Sequence, residues 1–382
     1  MVFVFLIPLS SALSAKVLVA CLALALWSII FDKEGRLHLS YFWDIAVYIL
    51  IVLIGLFYSE DIESGLKVIE TSFSFIALPF VLGRVFTLNE IRLSKIFNSF
   101  FLGLSLSVLI CLTHSFFLYQ KSGNIQVFFY DQLTDIISSH PTYLAYYLIF
   151  AITVGLYFLS YGKLAIHPVI AALSILFLFV ALLLTSGQTA FVSLLLVFAF
   201  FILKFFLADR SNNRMLIIGI IILMMAVMFF VSSTEQSTRT ANLNDAWDRF
   251  GLWQAAIDAN PHILFGVGTG DSKITLNEYF RSHNLNEYAT DSLNAHNQFI
   301  QIFLTNGLLG FFALIFMLTR PLYLSFRNGN PLGILVFFPF LIYGMTEVFL
   351  GRYQGVVFFS FLHLSFVAYY ASSKPSFSLK GT

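Results

Sequence analysis

Charged side chains are scarce in this 382-residue chain: Asp, Glu, Lys and Arg make up 11% of it, where a soluble protein carries about 25%. That is too little polar surface for one or more water-soluble domains, so a single buried soluble core is excluded. An excess of either sign is missing too. Twenty-one basic and twenty acidic residues leave a formal charge of +1, which provides neither a polybasic surface for nucleic acid nor an acidic tail. Only two cysteines occur, Cys21 and Cys111, both inside apolar runs, so neither a disulfide framework nor a thiolate metal site is suggested. Internal repeats, low-complexity tracts and interdomain linkers are absent as well. What the chain has is hydrocarbon. Hydrophobic residues make up 59% of it and gather into runs of about twenty, the length that crosses a bilayer.

Apolar runs bounded by charged or turn-forming residues predict eleven spans, near 14–31, 41–58, 66–86, 95–119, 141–160, 167–185, 187–207, 214–232, 296–318, 331–350 and 352–371. The expected fold class is therefore an all-α polytopic membrane protein of about 11–12 transmembrane helices, one membrane domain over 1–382. Met1 to Pro8 is an apolar stub too short to cross, a truncated first span or a misassigned start, and it lacks the basic region of a cleaved signal peptide. Lysine and arginine in the short loops set the orientation. With 32–40, 84–95, 161–166, 208–214, 319–330 and the C-terminus inside, thirteen basic residues lie inside and four (Lys16, Lys67, Lys121, Arg352) outside. The long segment 233–295 is then an outer, periplasmic loop, and 120–140 is a smaller one.

A loop of about sixty residues among loops mostly under fifteen is where function is expected. Asn244 to Ile257 reads as a helix on the membrane interface, with Trp247, Phe250 and Ile257 on one face and Arg249, Trp253 and Ala256 on another. Asn260-Pro261 stops it. The glycine-rich turn Phe265-Gly266-Val267-Gly268-Thr269-Gly270-Asp271 offers backbone amides to an anion or serves conformation alone; no Walker lysine accompanies it. The loop re-enters the membrane through Ala295-His296-Asn297-Gln298-Phe299-Ile300-Gln301. His296, at the first turn of the span, is either a polar anchor or a base for a hydroxyl, since an ordinary histidine titrates near working pH. At the outer end of the last two spans, Glu347 and Arg352 form a pair or contact lipid phosphate. Ser186-Gly187-Gln188 and Ser139-His140-Pro141 add further polar groups on the same outer side.

With these residues in hand, the chain resembles the O-antigen ligase and polymerase superfamily of bacterial envelope glycosyltransferases. The most specific match is His296-Asn297-Gln298-Phe299-Ile300-Gln301 leading to Asn306-Gly307-Leu308-Leu309-Gly310. Arg249 with Trp253, the Pro261 to Asp271 turn, His140-Pro141-Thr142-Tyr143, and Glu347 with Arg352-Tyr353-Gln354-Gly355 support it. The resemblance implies a multi-helix fold with the large periplasmic loop between the ninth and tenth spans of the family pattern. It also implies a glycosyltransferase without metal or other cofactor, in the bacterial inner membrane with its active face periplasmic. A glycan on undecaprenyl diphosphate passes to an acceptor hydroxyl, that of lipid A-core in similar ligases and of another lipid-linked glycan in polymerases. Membrane lipids are the remaining partners, and no nucleic acid is involved.

Such chemistry needs neutralisation of the departing diphosphate and orientation of the acceptor. Arg249 is the candidate for the first task and His296 for the second, as general base or acceptor-positioning group. Arg352, with Glu347 holding it, is a second phosphate contact; His140, Asn297, Gln301 and Trp253 complete the substrate-binding candidates. Where similar ligases carry an arginine at the outer turn, this sequence has Ser186-Gly187-Gln188; Gln188 can hydrogen-bond a phosphate or sugar without neutralising it, and Arg352, Arg281 or Arg239 stand as substitutes. Ligase and repeat-unit polymerase share the donor and stay open as alternatives. A transporter or flippase of lipid-linked sugars is more distant, because it calls for repeated halves and broken helices with charge at mid-membrane, and His363 is the clear mid-span ionisable residue.

Overall fold

The structure, a computed structural model, describes residues 1–31, 38–84, 90–161, 167–185, 187–207, 213–233, 243–285, 288–289 and 294–372. Among these the chain is all-α, without strands. The first half contains α1 (Val2–Leu6), α2 (Ser11–Phe31), α3 (Trp43–Phe57), α4 (Ile62–Thr71), α5 (Phe73–Arg84), α6 (Glu90–Ser122), α7 (Tyr130–Thr134), α8 (Pro141–Tyr161) and α9 (Pro168–Leu184). It continues with α10 (Gln188–Leu207), α11 (Arg214–Ser233), α12 (Leu243–Asp258), α13 (Ser272–Ser282), α14 (Gln298–Arg327), α15 (Leu332–Thr346) and α16 (Tyr353–Ser372). Seven described apolar stretches are long enough to cross a membrane, one of them, Ile62–Gly83, made of α4 and α5 in succession, and four shorter apolar helices accompany them. Together they account for the eleven apolar segments, so the chain is an all-α polytopic membrane protein.

Two boundaries differ from expectation. The segment 66–86 is not one helix: α4 ends at Thr71, Ser72 turns, and α5 begins at Phe73. The reason is α4's composition, with Glu63, Lys67 and Glu70 along one stripe, Glu63 and Lys67 paired at 2.7 Å, and Ile62 and Leu66 exposed on another. Its N-cap is Asp61, which accepts from the Ser64 amide at 2.9 Å, and bonding to Ser64 holds the Asp61 carboxyl below the usual carboxylate range. At the far end, the expected loop 319–330 is mostly helix, because α14 continues through Pro321 to Arg327.

The chain divides into two compact units, Met1–Ser14 with Lys95–Asn242, and Ala15–Ser94 with Leu243–Thr382. The first is built around α8, buried on nearly all sides, as expected of a helix apolar all round. Phe97 and Phe100 of α6 meet Phe150 of α8 edge to face, and Lys204 caps the α8 end with its ammonium 3.6 Å from the Tyr161 ring centroid. The N-terminal stub belongs here: the Ser107 hydroxyl donates to the Pro8 carbonyl at 2.9 Å, and Gly103 lies so close to Phe5 that a Cβ would clash with its carbonyl.

The second unit is built around α16, with Phe337, Phe340 and Phe359 at its centre. It also encloses three ionisable groups, Asp44 and His363 buried and Arg320 half-buried. Asp44 of α3 receives Arg320 of α14 at 2.5 Å and lies 2.7 Å from His363 Nε2 of α16. His363 is thus not an isolated mid-span ionisable group, as the sequence suggested. Pairing with Arg320 on one side and contact with His363 on the other are what let the Asp44 carboxylate sit among apolar helices.

Candidate functional site

The insertion after α11 folds as its own small layer on α14. From α12, Leu252, Ala255 and Ala256 face inward and join Leu276 and Phe280 of α13, Ala289 and Ala295 ahead of α14, and Leu304 within it, in one buried cluster. Phe250 and Ile257 are left exposed on the opposite face of α12, the apolar stripe expected of an interfacial helix; the side chains of Trp247 and Arg239 lie outside the described residues. Arg249 and Trp253 fall between these faces and are half-buried. The Trp253 ring packs edge-on against Phe250 with centroids 4.9 Å apart, and its buried indole N–H has no hydrogen-bond partner among the described residues.

The glycine-rich turn is not an anion cradle. Its amides are used inside the protein. Val267 N donates to Leu304 O and Gly268 N to Thr305 O, both at 2.9 Å; Thr269 N donates to Gly55 O at 3.2 Å and Gly270 N to Ser59 Oγ at 3.0 Å. In exchange, Leu308 N and Leu309 N of α14 donate to the carbonyls of Ile263 and Leu264. This exchange is possible because α14 breaks at Gly307, whose φ of +61° and ψ of −157° leave four backbone groups without helical partners. The turn fills the break. Asn306 and Thr269 close it sideways, the amide Nδ2 donating to Thr269 Oγ1 at 3.1 Å while Thr269 Oγ1 donates to Val52 O at 2.7 Å. Asp271 finishes the turn, accepting from the amides of Glu60 and Asp61 at 2.9 and 2.8 Å. The conformational reading of the turn is the one the geometry carries.

The clasp fixes the start of α14, where the principal candidates sit. Asn297 is its N-cap, accepting from Phe299 N at 2.9 Å and Ile300 N at 3.1 Å. Gln301 Oε1 accepts from Ala295 N at 3.1 Å, and Asn294 Oδ1 from His296 N at 2.8 Å. Gln298 Oε1 accepts from Leu350 N at 2.8 Å, tying the helix start to the α15–α16 turn. Held between these bonds, His296 adopts the left-handed region at φ +43°, a conformation that costs a side-chain-bearing residue about 1–3 kcal/mol. The result is an imidazole facing Glu347, Nδ1 to Oε2 3.9 Å, with both groups about one-third exposed (34% and 31%).

Of the two readings of Glu347 and Arg352, a mutual pair or a lipid-phosphate contact, the mutual pair is not among the ion pairs of the described residues. Glu347 sits in extended conformation at the end of α15, the turn Phe349–Gly351 intervenes, and Arg352 is exposed ahead of α16. Among the described residues the ionisable partner of Glu347 is His296. The sequence lacked this contact because the two residues are remote along the chain and each had a nearer explanation. His140 and Gln188 belong to the first unit. His140 Nδ1 accepts from Thr142 N at 3.4 Å at the start of α8, and its ring meets Tyr130 and Tyr143 edge-on at 6.0 and 6.5 Å. The Gln188 side chain lies outside the described residues.

Residues 172–315 match the sequence model of the family described as O-antigen ligase. Arg249, Trp253, His296, Asn297 and Gln301, together with the Gly307 break, lie inside the match; His140, Glu347 and Arg352 lie outside it. A protein of Haemophilus influenzae, described only as uncharacterized, is 25% identical over 148 residues, which covers 36% of this chain and 36% of the relative. The chain thus spans about a third of that relative's length. The family match overlaps the segment from His296 to Gly310 that carries the resemblance, and it covers the middle of the chain rather than its whole length.

Proposed function

We propose that the protein transfers a glycan from undecaprenyl diphosphate to an acceptor hydroxyl at the periplasmic face of the bacterial inner membrane, in the manner of an O-antigen ligase. The observation that carries the reading is the His296–Glu347 contact, built on a strained residue at a capped helix start inside the family match. In this reading His296 takes the proton of the acceptor hydroxyl as it attacks the anomeric carbon, and Glu347 stabilises the imidazolium that forms. The bond from that carbon to the diphosphate breaks, and the lipid diphosphate leaves with the electron pair. Arg249 offers a planar, permanently charged fork to the departing oxygens, with Arg352 as the second cation. Asn297 and Gln301, whose side-chain oxygens are engaged by backbone amides, act as positioning residues. Trp253 brings an unpartnered indole N–H.

The test is deletion of the gene in its host, with lipid A-linked and undecaprenyl-diphosphate-linked glycans resolved by gel and mass spectrometry, and complementation by the wild type or His296→Ala. Long chains accumulating on undecaprenyl diphosphate over bare lipid A-core, unrelieved by His296→Ala, are expected. Single repeat units reaching the acceptor without a ladder would make the protein a polymerase. Lipid-linked glycan trapped on the cytoplasmic side would make it a transporter.

A further inference from the structure

The turn that fills the α14 break is expected from the sequence to lie in an aqueous loop, yet its hydrogen bonds set it against the flanks of two apolar helices. Two independent rulers measure how far. Along α14, ahead of the Gly307 break, the amides of Val267 and Gly268 bond to Leu304 and Thr305, six and seven residues past Gln298, or about 10 Å at 1.5 Å per residue, and the carbonyls of Ile263 and Leu264 reach past the break to Leu308 and Leu309. Along α3, Thr269 Oγ1 bonds to Val52, five residues before the helix ends at Phe57, or about 7–8 Å. Asp271, held by the Glu60 and Asp61 amides, marks the polar end of the same excursion.

The side chains agree with that depth. Between Pro261 and Gly270 there is no Asp, Glu, Lys or Arg. Ile263, Leu264 and Phe265 at the tip are 63%, 48% and 49% exposed, and they continue the exposed stripe Leu309, Phe312 and Phe316 of α14, with the Leu309 amide bonded to Leu264. So does the backbone. Non-helical chain survives at membrane depth only where protein satisfies its polar groups, and the amides from Gly266 to Asp271 all donate within the protein. The amides of Ile263 to Phe265 open a helical turn closed by Gly266 N on His262 O at 2.7 Å, so they point back along the chain toward Pro261, the shallow end.

We infer that Pro261–Gly270 is a re-entrant segment that dips into the leaflet nearest the insertion, with Ile263, Leu264 and Phe265 in contact with the acyl chains of the bilayer. The occupant of this exposed face is membrane lipid. Its consequence is that α12, whose end is tied to α14 by Asn260 Nδ2 on Phe303 O at 3.0 Å, is held down at the headgroup level, at a fixed height above the hydrocarbon.

The inference goes beyond glycan transfer and is tested without it. In the full-length chain with Cys21→Ser and Cys111→Ser, a nitroxide is attached at Leu264→Cys and the protein is placed in lipid nanodiscs. Its collision rates with oxygen and with a water-soluble nickel chelate are compared with those at Phe312→Cys, on the lipid-facing stripe, and at Lys273→Cys, on exposed α13. The expected result is high oxygen and low nickel collision, as at Phe312, with nickel collision several-fold below that at Lys273. Nickel collision equal to that at Lys273 overturns the inference, because the tip is then in water. Low collision with both reagents also overturns it, because the tip is then covered by protein. Ile263→Cys gives the same reading should Leu264→Cys not fold.

Discussion

Glu347 is the residue whose surroundings change its meaning most. As a neighbour of Arg352 in sequence it reads as a structural counter-ion; facing His296 at 3.9 Å it is, under the proposed transfer, the group that would orient the histidine. The contact is longer than a hydrogen bond and one-third exposed, so its effect on rate should be smaller than that of the histidine. His296→Ala should lower transfer by about 10²–10⁴-fold, the usual worth of a positioned base. Glu347→Gln, which keeps shape and removes charge, should cost about tenfold to a hundredfold on the same general acid–base scale. Arg249→Lys should fall with them, because a compact ammonium cannot reproduce a bidentate fork. Initial rates of glycan transfer by the purified variants in nanodiscs, with membrane insertion checked by size-exclusion profile, decide the matter. Glu347→Gln at the wild-type rate would end its assignment as a positioning residue, and a fully active Arg249→Lys would remove the clamp argument. Asp44 shows the complementary lesson. It stood in plain view inside an apolar run, but its partner Arg320 is 276 residues away, and no local pattern announces a buried pair at that distance.

At the scale of elements, the Gly307 break and the turn that fills it form one device, in which glycines are required where backbones meet. Gly266 and Gly307 have φ of +73° and +61°, and a Cβ on either would collide with the backbone of the other's segment, at 2.5 Å from Thr305 C in the first case and against the Leu264 carbonyl in the second. Gly266→Ala and Gly307→Ala should therefore each reduce the yield of monodisperse protein severely. Gly251→Ala on α12, where a Cβ meets nothing within 4 Å, should be tolerated. Fluorescence-detected size-exclusion chromatography of the three variants separates these outcomes; a normal profile for Gly307→Ala would mean that the α14 break is not a fixed feature. Sequence reading found the elements well where one signal dominates. Apolar run length gave the eleven helices, and Asn260-Pro261 gave the end of α12. It failed where two remote segments decide together: the glycine-rich turn has an evident composition, yet whether its amides serve an anion or the carbonyls of α3 and α14 is settled only by what packs against them. The split of α4 from α5 was legible in the charges of Glu63, Lys67 and Glu70, but hydropathy averaged over twenty residues hid it.

For the molecule as a whole, the family match runs from α9 in one compact unit to α14 in the other, so the resemblance is a property of neither unit alone. Function then depends on which side of the membrane the insertion faces. The basic residues argue for the outside, but one of the thirteen counted inside, Arg320, lies within α14 paired with Asp44 and carries no loop information. Removing it leaves twelve against four, and the bias survives. The direct check uses the cysteine-free chain with single cysteines at Lys273, on exposed α13, and at Asn328, in the turn between α14 and α15. In intact spheroplasts a membrane-impermeant maleimide should label Lys273→Cys, and should label Asn328→Cys only after the membrane is opened. These positions flank a helix of 30 residues, long enough to cross the bilayer with ends to spare, so they should report opposite sides. The reverse pattern would put His296 and Glu347 at the cytoplasmic face, out of reach of a glycan displayed on the outer leaflet, and with it the proposed transfer would fall while the fold stood unchanged.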